Sequence, residues 1–589
     1  MSTPSILSAI QKLSLLLTKE EKLKWFGIVA FSLCSCFLEI VTASVIVVFA
    51  QVLNQPHVGQ KYLSMIGFGN DLAPGRIIFF IAISVGIIYL IKNLVAAAEV
   101  LYQTFSIQKM SYHFKNKLLH RYAEVDYGSY LTRNSSLGIQ VVGGDAEQIF
   151  TNGMISIASI LSESLIFFCL IGMVICLNPS LALYIFGVGA ILGAIVTKGV
   201  LPKFYRFGQK LQESALYSSQ NLIQFFHAFK EIVLLGKKDA FIDAYRHHSL
   251  KRSQVQAMQT SINALPRIII EIIFVGLFVT VVALLSFNLE STDQMIGILG
   301  GYLYVGFRLM PGLNRIINQL NIFKSTIPSI ERVYNEYVQA GIKVHYLNLP
   351  ELDFNEDIKL ENVSFSYLNT DKYALNSITL QIKKGECIGI VGETGSGKST
   401  LVDLILGLLK PSSGNIIIDT KYPVNSLQWH KKIGYVPQTI YLTDDTIKAN
   451  IAFGESDVDE PRLLAAIESA QLGRFIKQLP DGINTRVGDR GVRLSGGERQ
   501  RIAIARALYR EPEVLIFDEA TSALDNETEA RLMDTIYEVI KSRTVIMIAH
   551  RLTTLKECER IIVMEKGHIS EIIQQKNNKL ENKQVDYIV

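Results

Sequence analysis

Run length is the strongest constraint on this chain. Up to about residue 325 it consists of long apolar runs separated by basic stretches, and from about residue 356 short β-like runs alternate with helical periods. Six runs, near 26–52, 76–104, 154–177, 180–201, 266–287 and 294–323, are long enough to cross a bilayer. A hydrocarbon core of roughly 30 Å takes about 20 helical residues. Several runs exceed that minimum, so their helices are expected to project beyond the membrane. Charged residues are 19% of the chain against 49% hydrophobic, and mean hydropathy is +0.26. The charge fraction lies below the roughly 25% usual for soluble domains. Disordered, collagen-like and nucleic-acid-scaffold classes are excluded, since too little charge is present and too much apolar surface needs burial. Net charge is +4, from 58 Lys and Arg against 54 Asp and Glu, so no polyanion-binding signal exists. Cys34, Cys36, Cys169, Cys176, Cys387 and Cys558 contain no C-x-x-C pair. Neither a disulfide framework nor a zinc site is indicated. At 589 residues the chain holds more than one folding unit. These features describe a membrane protein with a soluble part.

The basic, amphipathic stretch Lys12 to Lys24 lacks a small-residue cleavage site and reads as an interfacial helix entering the first span. Orientation follows Lys and Arg. Segments 105–153 and 202–265 carry Lys109, Lys115, Lys117, Arg121, Lys210, Lys230, Lys237, Lys238, Lys251 and Arg252. The connections at Asn178-Pro179 and from Asn288 to Asp293 carry no basic residue. Both termini and the two basic segments are therefore expected in the cytoplasm. The 53–75 connection is expected outside, with a short surface helix at Lys61 to Phe68. Within the spans, Lys92, Arg267, Arg308 and Arg315 stand out, because ionisable groups there are costly and mark function by default. Arg308 and Arg315 share one helix face, about two turns apart. One reading is a cationic substrate cavity that binds an anionic headgroup. The other is that these groups snorkel, or pair with Glu39, Glu99, Glu163 or Glu271. Pro266 and Pro311 each remove a backbone donor and are candidate kinks.

In the second half, a β-run leads into Ile388-Gly-Ile-Val-Gly-Glu-Thr-Gly-Ser-Gly-Lys-Ser-Thr400, followed by a helical pattern. Such a loop wraps phosphate oxygens with backbone N–H groups, and Gly392, Gly395 and Gly397 give it the freedom to do so. Glu393, Thr394, Ser396 and Thr400 complete the candidate loop. Lys398 would reach the β/γ-phosphates and the Ser399 hydroxyl would ligate Mg²⁺. The following helix N-terminus adds a favourable dipole. Further on, Val514-Leu-Ile-Phe-Asp518-Glu519 reads as a buried strand ending in two carboxylates. Asp518 would hold Mg²⁺ or its water, and Glu519 would act as general base on the attacking water. The alternative is that they cap the next helix.

With these two motifs in place, the chain resembles the ATP-binding-cassette family. Leu494-Ser-Gly-Gly-Glu498 is similar to its signature motif, which brings in Ser495, Gly496 and Gly497. Gln438 in Tyr435-Val-Pro-Gln matches the Q-loop, whose glutamine contacts Mg²⁺. Ser522-Ala-Leu-Asp525 matches the D-loop, and His550 the switch histidine that senses the γ-phosphate. Tyr367 stands where the family stacks an aromatic ring on adenine. Thr485 to Gly491 resembles the segment that touches the coupling helices in exporters, with Asp489 where Glu is commoner. The resemblance implies an α-helical six-span transmembrane domain of exporter type over 1–335, then an α/β P-loop nucleotide-binding domain over 356–570. A polar tail over 571–589 has no assigned role. It further implies a working ATPase using ATP and Mg²⁺. ATP would lie between Lys398 of one chain and Ser495 of another, so a homodimer is the expected unit. Coupling helices are expected near 122–134 and 225–238.

Among exporters, Leu265-Pro-Arg-Ile, Arg308 to Ile317, Leu479-Pro-Asp-Gly-Ile and the 53–75 segment are similar to the lipid-linked-oligosaccharide flippases of bacterial protein N-glycosylation. This implies flipping of a polyprenyl-pyrophosphate glycan between leaflets of the bacterial inner membrane. Arginine suits a pyrophosphate, since its planar donors match phosphate oxygens. The rivals are a flippase for another lipid, such as a lipopolysaccharide precursor, and a peptide or drug exporter of the same architecture. Only about 25 residues precede the first span, which argues against an N-terminal leader peptidase. A mechanical ATPase on nucleic acid is rejected by the spans and by the lack of a basic stripe. An ATP-gated channel has no support in the sequence.

Overall fold

The computed structural model describes residues 4–55, 59–60, 73–177, 196–288, 292–339, 352–368, 370, 372–519, 533, 537, 543–549 and 552–575. The expected surface helix at Lys61 to Phe68, most of the fourth span, the D-loop, His550 and the tail beyond residue 575 lie outside the described residues. The chain forms two compact units, Met1–Glu124 with Arg133–Ile342, and Val125–Thr132 with Lys343–Val589.

The first unit is built from long helices. Lys19–Asn54, Pro74–Ala123, Ile155–Leu177, Leu201–His227, Lys238–Asn288 and Thr292–Gln339 are its main elements. Fifty residues of helix reach about 75 Å, well over twice the bilayer core. Four stretches among the described residues are long and apolar enough to span: Lys19–Leu53, Pro74–Ala123, Ser135–Gly172 and Lys238–Gly276. Large side chains such as Phe79, Leu90, Phe168 and Ile272 are exposed along them, as lipid-facing residues are. The helices run on through Pro266 and Pro311. Before Ile155 the winding loosens into π-turns at Val141–Asp145 and Ile149–Met154.

The expected interfacial helix is displaced and divided. It covers Ile6–Leu16, and Thr18 then opens the first long helix. A reciprocal cap makes the break: the Thr18 hydroxyl accepts from Glu21 N, and the Glu21 carboxylate accepts from Thr18 N at 2.8 Å. Lys19 to Lys24 are thus the first turns of a spanning helix. Ala9, Leu13 and Leu16 bury against Phe323, Ile327 and Ile330, so the short helix packs on protein.

The second unit holds two sheets. An antiparallel one has strand order β2-β1-β4-β5, with β1 Asp357–Phe365, β2 Leu375–Lys383, β4 Ser413–Ile418 and β5 Tyr422–Pro423. The other runs β10-β9-β3-β8-β7-β6, with β3 Cys387–Gly392, β6 Ile433–Val436, β7 Val514–Asp518, β8 Thr544–Ile548, β9 Arg560–Glu565 and β10 His568–Gln574. Within it β6, β7, β8, β3 and β9 pair in parallel. Val514–Asp518 and Thr544–Ile548 are buried at every position, which explains the apolar runs 514–517 and 545–548 within them. The carboxyl ends of β3 and β7, one strand apart, bring the phosphate loop and the two carboxylates to the same edge of the sheet.

Candidate nucleotide site and a buried charge cluster

The loop after β3 folds as it does because its glycines occupy backbone space closed to other residues. Gly395 and Gly397 have φ of 84° and 104°. A Cβ on Gly397 would lie 2.7 Å from Leu375 Cδ2 and 2.9 Å from Ala374 O. The helix Lys398–Ile405 starts directly from Gly397, with no side-chain cap on its first N–H groups. Those donors point at the loop's concavity, as in a phosphate cradle. Lys398 is folded back, donating to Gly392 O at 2.8 Å and Glu393 O at 3.0 Å. Burial pulls its ammonium below the ordinary range, while Glu519 and Asp518 oppose the shift. The buried Ser396 hydroxyl has no partner among the described residues. An orphaned hydroxyl, uncapped N–H groups and a glycine-lined cradle together fit a polyphosphate. Ser399 is exposed on the first turn, while Thr400 is buried and joins its hydroxyl to the Tyr367 hydroxyl at 2.9 Å. Tyr367 lies edge-on to Phe365 and half-buried.

Asp518 ends β7 and accepts from the Tyr435 hydroxyl at 3.2 Å. Burial raises its carboxyl above the usual range, with the Tyr435 hydrogen bond opposing. Glu519 has a φ of 48°, left-handed backbone for a non-glycine residue. That conformation costs about 1–2 kcal/mol and turns its side chain away from the strand direction. The Gln438 amide donates to the Glu519 carboxylate, so residues 81 apart in sequence meet at one point. Ser495 caps the helix Gly496–Tyr509 in a reciprocal box with Glu498. Among the described residues no hydrogen bond joins Ser495 to the phosphate loop of its own chain.

Three residues with a bearing on the site carried no role in the sequence reading. Asp403, on the phosphate-loop helix, is pushed up to about 6 by burial and by the nearby Asp518. Its signal was a carboxylate inside the apolar run Leu401 to Ile405. Tyr127, on the short helix Tyr127–Leu131, packs against the core of this unit and lies near Asp403 and Tyr367. That helix, started by the Asp126 carboxylate on Gly128 N and Ser129 N, falls inside the expected 122–134 coupling segment. Arg506 holds the backbone beyond the Q-loop, donating to Tyr441 O at 2.9 Å and Asn450 O at 2.8 Å.

In the first unit, the four basic residues singled out in the spans meet carboxylates named in the alternative, pairing reading. Lys92 Nζ lies 3.0 Å from Glu39, and Arg308 Nε 2.9 Å from the same carboxylate. Arg308 also reaches Glu163 at 3.5 Å, and Arg315 Nε lies 2.8 Å from Glu163. Among the described residues three cations share two carboxylates, because a buried charge needs an opposite charge close by. These five residues carry a formal charge of +1. Arg267 pairs instead with Glu271 on its own helix at 3.0 Å, and both side chains reach the surface.

A parallel sheet with a phosphate-shaped loop, paired strand-end carboxylates and a set of spanning helices defines a membrane transporter driven by a P-loop ATPase. Residues 25–301 match the ABC transporter transmembrane region, and residues 375–522 match the ABC transporter family itself. The chain belongs to the ATP-binding-cassette transporters, in the half-transporter layout of one membrane domain and one cassette. It is 29% identical over 584 residues to an ATP-dependent lipid A-core flippase of Saccharophagus degradans, covering 97% of this chain and 96% of that one. It is 35% identical over 357 residues to the heterocyst differentiation ATP-binding protein HepA of a Nostoc species, covering 59% and 57%. The fold matches a bacterial Atm1-family ABC exporter with ATP bound, at a TM-score of 0.74 and 23% identity, covering 92% and 95%.

Proposed function

We propose that two copies of this chain use ATP to flip an anionic lipid-linked substrate, a polyprenyl-pyrophosphate oligosaccharide, from the inner to the outer leaflet of the bacterial inner membrane. The observation that carries this reading is the cluster of Lys92, Arg308 and Arg315 on Glu39 and Glu163. Arg315 is half-exposed, and its guanidinium presents planar donors of the kind that match phosphate oxygens. The relative named an ATP-dependent lipid A-core flippase, matched over 97% of this chain, supports lipid flipping as the kind of transport. The termini and the cassette are assigned to the cytoplasm from the distribution of Lys and Arg.

At the nucleotide site, Lys398, Ser396 and the N–H groups of residues 395–400 would hold the phosphates, and Tyr367 the base. Mg²⁺ would sit among Ser399, Gln438 and Asp518 and neutralise phosphate charge. Glu519 takes the proton of the attacking water, and His550 and the partner's signature segment complete the site. Closure of two cassettes on ATP shifts the membrane helices between two states, because ATP binds the closed state better. The test is purified protein in proteoliposomes holding a labelled polyprenyl-pyrophosphate oligosaccharide. ATP-dependent protection of the head group from an impermeant reagent, absent in Glu519→Gln, is expected. Intact ATPase with no movement of properly incorporated lipid would overturn the substrate assignment.

A further inference from the structure

The segment Tyr435-Val-Pro-Gln438 holds both strand-end carboxylates, yet only its glutamine has an assigned part in serving Mg²⁺. Tyr435 lies on β6, which pairs in parallel with β7 and sets Tyr435 opposite Ile516, two residues before Asp518. Side chains alternate across a sheet, so Ile433 and Tyr435 share a face, as do Val514, Ile516 and Asp518. Ile433, Val514 and Ile516 lie in one apolar core with Leu401, Leu404 and Ile405 of the phosphate-loop helix, and the Tyr435 ring packs on that core. Val436, Leu515 and Phe517 belong to the core on the other face. Tyr435 and Asp518 thus project from the sheet on the side of the phosphate-loop helix.

The Tyr435 hydroxyl donates to Asp518 Oδ2 at 3.2 Å. Three residues on, the Gln438 amide donates to the Glu519 carboxylate. The hydroxyl has one proton to give. Asp403 and Tyr127 lie near it as well, and the proton goes to Asp518. A phenol keeps its proton at neutral pH, so toward a carboxylate it acts as a donor. Asp518 is 7% exposed, which leaves little water to stand in for that donor.

We propose that Tyr435 is a positioning residue for Mg²⁺: it holds Asp518 by Oδ2 and leaves Oδ1 for the ion or its water. The inference rests on Asp518 as the carboxylate that serves Mg²⁺. A carboxylate on its own turns about its side-chain torsions, and a hydrogen bond to one oxygen fixes which oxygen is presented. The donor is itself held, because its ring packs on the core. Tyr435 and Gln438 also share one four-residue segment. The glutamine and Asp518, two of the groups assigned to the ion, are therefore tied together through β6. Removing the hydroxyl weakens the hold on Mg²⁺ and spares the nucleotide contacts of the phosphate loop.

The test uses full-length protein in nanodiscs and a fluorescent, non-hydrolysable ATP analogue. Binding is titrated with MgCl₂ and, in a second arm, measured in EDTA with no divalent ion. Tyr435→Phe keeps the ring and its packing and removes only the donor. Its Mg²⁺ midpoint is expected to rise about tenfold, the lower end of what losing such an outer partner costs in metal affinity. Affinity for the analogue in EDTA should be unchanged. A midpoint equal to wild type overturns the proposal. So does an equal loss of affinity with and without Mg²⁺, which is what a role in folding alone would give. Asp518→Asn tests the underlying assignment separately. A wild-type Mg²⁺ midpoint in that variant overturns the metal role of Asp518 and this inference with it. A raised midpoint there, beside an unchanged one in Tyr435→Phe, overturns the part of the tyrosine alone.

Discussion

Removing the charge of Glu39 tests how the membrane-embedded cations are held. Its side chain is 3% exposed, with Lys92 at 3.0 Å and Arg308 at 2.9 Å. Glu39→Gln preserves the volume and one acceptor oxygen but leaves three cations against, among the described residues, the single carboxylate of Glu163. Taking one partner from a buried ion pair costs about 3–5 kcal/mol. The retained amide oxygen places this case near the lower end, about 3 kcal/mol. For a unit of several hundred residues, each kcal/mol shifts the melting point by about 2 °C, so a fall on the order of 6 °C is expected. The assay is thermal denaturation in nanodiscs at one fixed scan rate, since unfolding of a protein this large is operationally irreversible. Adding Lys92→Met returns the cluster to a surplus of one and should recover most of the loss. The resulting double-mutant cycle isolates the Lys92–Glu39 coupling, expected at about 1 kcal/mol or more. A Glu39→Gln protein as stable as wild type, or a loss that Lys92→Met deepens additively, would refute the reasoning.

Glu519→Gln should bind ATP with near-normal affinity while its turnover falls by about 10²–10⁴, the usual worth of a general base; ordinary phosphate release would end that assignment. Arg315 is half-exposed and pairs with Glu163 alone among the described residues, so Arg315→Gln should change thermal stability by less than about 1 kcal/mol. The same variant removes the surplus charge and should slow flipping about tenfold or more, and undiminished flipping would separate the arginine from substrate handling. Asp403 keeps its proton up to about pH 6 in the folded chain against an ordinary value of 3.8. The native state therefore binds the extra proton between those values, and stability falls as pH rises through that window. Asp403→Asn should be more stable than wild type above pH 6, by about 1 kcal/mol after allowance for partial exposure, and equal to it below 3.8. Thermal denaturation of the full chain in nanodiscs at one fixed scan rate, at about pH 3.5 and about pH 8, measures the difference.

Much of the nucleotide site was legible because its chemistry is local. The cradle from Gly392 to Thr400 is contiguous backbone, and its strand-before, helix-after setting can be read from apolar periodicity. The apolar runs likewise fixed spanning helices by length alone, though they understated them: the run at 76–104 is one part of a helix from Pro74 to Ala123. Hydropathy sees the part in lipid and is blind to the polar continuation. The divided N-terminus was missed because Lys12 to Lys24 looks continuous in charge. The cap at Thr18 and Glu21, which ends that continuity, is a matter of hydrogen-bond geometry.

Length, composition and motif order determined by themselves that this chain is a membrane half joined to an ATPase half. Those properties follow from neighbours in sequence, which are also neighbours in space. The tertiary structure alone decided which charges compensate which. Arg308 meets Glu39 across 269 residues, and Glu99 meets Ser32, Ser35 and Ser162 across more than 60 in each case. Gln438 finds Glu519, and Tyr435 finds Asp518, across 81 and 83. Such pairings depend on how helices and strands are stacked, and electrostatic energy falls off with distance in space rather than along the chain. The cationic residues and four candidate carboxylates were visible in the sequence, but which carboxylate each cation meets became identifiable only when the helices were brought together.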